Sequence, residues 1–201
     1  MGQRIDDLLR DLKVTSGCRM NAAERLTSRG RRMSLLTVFG AALVIALTVL
    51  PYLYKLPPAV STDLDVVTLI MAIMILGLAL FQYGTNDPAA AEQYRRCGLE
   101  LGELHRELRN KAESIDENAL ATVRMRYDTV LQKYGADHTA VDLARYQVAH
   151  REDFSMSPLQ TAQSVGRLLL SGNVLYTILT AAVAAFFLWL LFWHVLPARM
   201  A

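Results

Sequence analysis

This chain lacks the residue patterns that catalysis and metal binding need. It has no Cys-x-x-Cys pair, no His-Glu-x-x-His, no Gly-x-Ser-x-Gly elbow and no glycine-rich phosphate loop. Neither an enzyme nor a bound cofactor or metal is therefore expected. Its two cysteines, Cys18 and Cys97, stand far apart and outside the apolar runs, which reads as buried reduced thiols with no disulfide. Charge of one sign is also lacking, since 21 Lys and Arg face 19 Asp and Glu, a net +2 spread through amphipathic stretches. That balance argues against nucleic acid as a partner. Strand-like alternation, internal repeats and low-complexity tracts are missing too, so an all-α protein is expected.

What the chain does have is long stretches without charge. Met33 to Tyr54 is about 22 uncharged residues and Val66 to Asn86 about 21, each enough to cross a hydrocarbon core roughly 30 Å thick. Some ten residues, Lys55 to Leu64, join them, with Pro57-Pro58 to stop one helix and Ser61, Thr62 and Asp63 to start the next. The expectation is a transmembrane helical hairpin over 33–86, with spans 33–54 and 64–83. A third run, 174–196, has the same character and ends in Trp189, Trp193 and His194, suited to an interface. Arg25, Arg29, Arg31 and Arg32 precede the first span, whereas Lys55 is outnumbered by Asp63 and Asp65 after it. The positive-inside rule then puts the N-terminus of this multi-pass protein in the cytoplasm, with these arginines topogenic and facing lipid. No cleaved leader is expected from the charged first residues, and position 6 departs from the myristoylation pattern.

Residues 1–32 place Ile5, Leu8, Leu9, Leu12 and, after a Thr15-Ser16-Gly17 interruption, Met20, Ala23 and Leu26 at helical spacing, an amphipathic cytoplasmic lead-in to the membrane. Residues 87–173 read as a cytoplasmic helical domain. Asp87-Pro88 opens a helix whose Tyr94, Leu101, Leu108 and Ile115 recur every seven residues, with Cys97 and Leu104 between. Ser114 to Glu117 reads as a capping box for a second helix, with Leu120, Val123, Tyr127, Val130 and Tyr134 in step before Gly135. Two such seams predict an antiparallel, coiled-coil-like hairpin. A helix restarts near Thr139, and Ser157-Pro158-Leu159-Gln160 opens another toward the third span.

His138 between Asp137 and Asp142 is the densest polar group. At a helix start it reads as a capping and packing turn, Asp137 taking free helix N–H groups and Asp142 orienting the imidazole, rather than as a catalytic or metal site. Within the apolar runs, small and weakly polar residues share faces: Ser34, Thr37, Ala41 and Thr48 on the first, Thr68, Ala72, Ala79 and Gln82 on the second, Thr177, Ala181 and Ala185 on the third. Such faces serve close helix packing or line a hydrated path, and the third is a candidate oligomer contact. No charge near mid-span argues against an ion-coupled relay.

In order along the chain stand Ala22-Ala23-x-Arg25-Leu26, a tight two-span hairpin, then Tyr94, Leu101-x-x-Leu104, Tyr127-x-x-x-Leu131-x-x-Tyr134 and Asp137-His138-x-x-x-Asp142. Over roughly residues 5–150 this resembles the SLATT family, the two-transmembrane effector domains associated with bacterial nucleotide-second-messenger and nucleotide-sensor genes. The family often shows Asn-His where this chain has Asp137-His138, and the third span lies beyond the two-span core. The resemblance implies an anti-phage or conflict effector of the bacterial inner membrane, which permeabilises that membrane when a sensor or nucleotide-signal-producing protein encoded nearby detects infection. A homo-oligomer in the lipid bilayer is expected, because one chain cannot enclose a channel. The alternative is a passive anchor or scaffold that recruits a soluble partner through its cytoplasmic helices.

Overall fold

A computed structural model describes residues 2–55, 57–135, 139–154, 160 and 163–166. The expected third span 174–196, with Thr177, Ala181 and Ala185, lies outside the described residues, as do Asp137, His138 and most of the Ser157 to Gln160 box. In order along the chain come α1 Gly2–Tyr54, α2 Pro58–Thr85, α3 Asp87–Lys111, α4 Glu117–Tyr134, α5 Ala140–Ala149 and α6 Arg151–Phe154, and residues 163–166 are helical as well. No strand occurs among the described residues. The protein is all-α, and its described residues fall into two units, one of residues 1–28 and 87–171 and one holding residues 29–86.

The second unit contains the apolar hairpin. Its two most apolar windows are long enough to cross a membrane, yet only 11% and 6% of them is buried within the protein. A soluble core helix would be mostly covered, so these surfaces fit lipid. The turn is tighter than the ten-residue connection read from the sequence. Helix α1 ends at Tyr54 against Lys55 in the left-handed conformation, and α2 starts at Pro58, behind an extended Pro57. Proline has no N–H to lose at a first helical position, so Pro58 begins the helix that Ser61 to Asp63 were expected to cap. At its far end α2 stops on Asn86, also left-handed, a conformation that asparagine tolerates better than most residues.

In the first unit the expected α3–α4 hairpin is present, but it is one part of a larger bundle. Leu101, Leu104 and Leu108 meet Leu120, Val123 and Val130, and Ile5, Leu8 and Leu12 of α1 complete the same cluster. Leu12, Leu101 and Leu108 are completely buried. Each contributes about 1.5–3 kcal/mol relative to an exposed position. The amphipathic stripe of the first 28 residues thus has a protein partner. The helix also runs unbroken through Thr15-Ser16-Gly17. Glycine is needed there for room: a Cβ on Gly17 would overlap the Tyr146 ring of α5. The cap of α4 moves by two residues from the expected Ser114, because Asp116 accepts from the Ala119 N–H at 2.8 Å. Gly135 closes α4 in the left-handed conformation, as the sequence predicts.

Candidate functional site

The hairpin carries the first group of candidate residues. On α1 the more buried positions Met33, Leu36, Thr37, Gly40, Leu43, Val44 and Leu47 step by three and four, with Gly40 packed on Ile75 of α2. Ser34 and Gln82, assigned to separate faces from the sequence, are brought together: Gln82 Nε2 donates to Ser34 Oγ at 2.6 Å. In lipid such a bond ties the two helices, since neither group has water to turn to. Ala41 and Thr48 stay exposed, Thr37 is half-buried, and Thr68 is buried. The hydroxyls are spent within their own helices, Thr37 on the Met33 carbonyl, Thr48 on Val44 and Thr68 on Asp65. A threonine satisfied in this way sits in hydrocarbon at little cost.

The second group centres on Asp142. Its carboxylate is 1% exposed and accepts from Arg25 twice, Nε to Oδ1 at 2.9 Å and Nη2 to Oδ2 at 3.1 Å. Oδ2 also takes the Thr139 N–H at 3.1 Å and the Thr139 hydroxyl at 2.8 Å, which closes the first turn of α5. Burial pushes the Asp142 carboxyl up, but the bonds from Arg25 and Thr139 outweigh it and hold the group below the usual carboxylate range. One reading changes as a result. Arg25, expected to face lipid with Arg29, Arg31 and Arg32, is paired with a buried acid in the helical bundle. Among the described residues Asp142 is held by Arg25 and Thr139, and its expected contact with the His138 imidazole lies outside the described residues.

The other residues that carried the family resemblance serve the same bundle. Tyr127 Oη lies 3.2 Å from Thr15 Oγ1, Tyr134 donates to Glu100, and the Tyr94 ring lies 5.6 Å beneath the buried Arg19 guanidinium. Ser16 donates to the Gly98 carbonyl at 2.7 Å. Arg25 of the Ala22-Ala23-x-Arg25 stretch therefore meets Asp142 across 117 positions of sequence. A polar ladder continues along α1: Asn21 donates to the Asp142 carbonyl at 3.2 Å, and Arg145 pairs with Glu24 at 2.9 Å. Further toward the N-terminus, Lys13 holds Asp153 at 2.7 Å and the Arg10 guanidinium lies 5.7 Å from the Phe154 ring centre. Sequence reasoning missed this ladder. Its only local signal is that Arg10, Lys13, Gly17, Asn21 and Glu24 recur every three or four residues on a face distinct from the apolar stripe.

Two open grooves flank these contacts. One, about 350 Å³, lies beside Lys13 and is lined by Leu9, His105, Tyr146 and Phe154. The other, about 670 Å³, lies between α3 and α4 beside Glu92, Arg96, Glu100 and Lys133. The charges of the second are largely paired within the chain, Arg95 and Arg96 on Glu92 and Lys133 on Glu100. Arg95 and Arg96 hold Glu92 down at about 2.

The family model for the SMODS and SLOG-associating 2TM effector domain family 5 matches residues 1–192. No curated protein and no solved structure matches the chain.

Proposed function

The chain is a membrane protein that belongs to the SMODS and SLOG-associating 2TM effector domain family, and from that premise we propose that it is a non-enzymatic effector of a bacterial conflict system, one that assembles into a homo-oligomer and permeabilises the inner membrane when a partner sensor triggers it. The observation that carries this reading is the exposed stripe of α1. Ser34, Ala41 and Thr48 are spaced by seven residues, uncharged, and exposed among the described residues, Ser34 accepting from Gln82 at one edge. Close-packed helices lie only about 8–10 Å apart, so one hairpin encloses no aqueous path and several copies are needed. A lining of small, uncharged and weakly polar side chains suits an unselective leak or a gate that closes by dewetting. In this reading the N-terminus and the helical bundle are cytoplasmic.

The test uses the full chain carrying a chemically inducible clustering tag, in cells loaded with a potential-sensitive dye, with native mass spectrometry of the same material. Clustering should depolarise the membrane and yield a defined oligomer, and Ala41→Leu with Thr48→Leu should reduce the leak. A protein that clusters yet leaves the potential intact is instead an anchor that presents its helical bundle to a soluble partner.

A further inference from the structure

The contacts of α5 and α6 differ in kind from those that hold α1, α3 and α4 together. The three longer helices share an apolar core of leucines, valines and an isoleucine. Residues 139–154 are tied to α1 by ion pairs and hydrogen bonds at Lys13, Asn21, Glu24 and Arg25, and by the Arg10 guanidinium near the Phe154 ring. Of the apolar residues in this segment Ala144 and Tyr146 alone are fully buried, while Val141, Leu143, Val148 and Phe154 are half-buried. Tyr146 itself is stacked on His150 of the same segment, ring centres 4.2 Å apart, and meets Phe154 edge-on. The segment therefore carries its own small aromatic cluster with it. Segments with few buried apolar contacts open at lower free energy than the core beside them.

We propose that residues 139–154 form a releasable strap, which in the resting protein lies along α1 and on activation lifts away while the α1–α3–α4 core stays folded. The strap rests on α1 through the bidentate Arg25–Asp142 pair at one end and through Lys13–Asp153 at the other. Between them Tyr146 sits in the gap that Gly17 leaves. Cys18, next to Gly17 on α1, is completely buried. Its thiol is pushed up to about 11, first by burial and then by the Asp142 charge, so it is unreactive while the strap is in place. Cys97 is buried in the apolar core instead. The two thiols thus report separately on strap and core.

The membrane consequence rests on the permeation reading above; the opening itself does not. Full-length protein in detergent, with Gly17→Ala or Asp142→Ala, is exposed to a thiol reagent, and each cysteine is followed by peptide mass spectrometry. Cys18 labelling should rise at least roughly tenfold in both variants, a local opening shifted by one decade or more. Cys97 should stay as protected as in the wild type. If both cysteines gain reactivity together, the strap opens only with the core and the proposal fails. If neither variant exposes Cys18, the proposal also fails. In cells, both variants should depolarise the membrane without clustering. An exposed Cys18 with an intact potential, where the clustered wild type does depolarise, would show that strap release is not the activating step. Should the clustered wild type not depolarise either, the permeation reading falls, and the labelling still decides whether the strap is a separate unit.

Discussion

Replacing Leu12 with Ala tests whether the first 28 residues are a structural helix of the bundle. Leu12 has no exposed surface and belongs to one cluster with Leu101, Leu104 and Leu108 of α3 and Leu120, Val123 and Val130 of α4. Truncating a leucine in such a site removes its transfer free energy and leaves a cavity, together costing about 2–5 kcal/mol. For a unit of this size each kcal/mol lowers the midpoint by roughly 4 °C, so a drop of about 8–20 °C is expected. The assay is thermal unfolding of the detergent-solubilised protein followed by helical circular dichroism, with Asp11→Ala on the exposed side of the same turn as control. The control should move by only about 2 °C, as surface changes of roughly 0.5 kcal/mol do. A Leu12→Ala midpoint no lower than the control would refute the placement of α1 in this core.

Asp142 sets a pH dependence. Its folded pKa is depressed, so its contribution is present above the unfolded value of about 3.9 and is lost as pH falls through the lower folded value. Wild-type stability should fall on acidification in that window, and Asp142→Asn should be less stable at pH 7 with a shallower acid slope; parallel slopes in denaturant titrations would count against the pair. At the ends of α4, Asp116→Ala should cost about 1 kcal/mol through the lost cap. Gly135→Ala should cost a similar amount, about 1 kcal/mol, by forcing a side chain into the left-handed region, both read from the same denaturant curves. For the proposed topology, Thr62→Cys should react with an impermeant thiol reagent on intact cells and Ser114→Cys should not; the reverse labelling would overturn it. Both positions are exposed, whereas native Cys97 is buried and its protection says nothing about which side it faces.

The sequence by itself determined the class of the protein and the faces of its helices. Charge-free runs longer than a bilayer is thick have few other uses, and a seam repeating at three and four residues must be buried against something. Gly135 was legible for the same reason, because a helix end in the left-handed conformation favours glycine whatever surrounds it. The partners of those faces were decided only by the tertiary structure. Periodicity says that Ile5, Leu8 and Leu12 share a side, but not whether that side meets lipid or the α3–α4 seam. Arg25 carried the same charge whether it addressed a lipid headgroup or Asp142, and its acid lies 117 residues away. Gly17 looked like a break in a helix, because the ring that needs its missing side chain belongs to Tyr146 on another element. Local patterns are short-range consequences of backbone geometry; pairings between distant residues depend on which surfaces fit once the chain has folded, and only the three-dimensional structure records that choice.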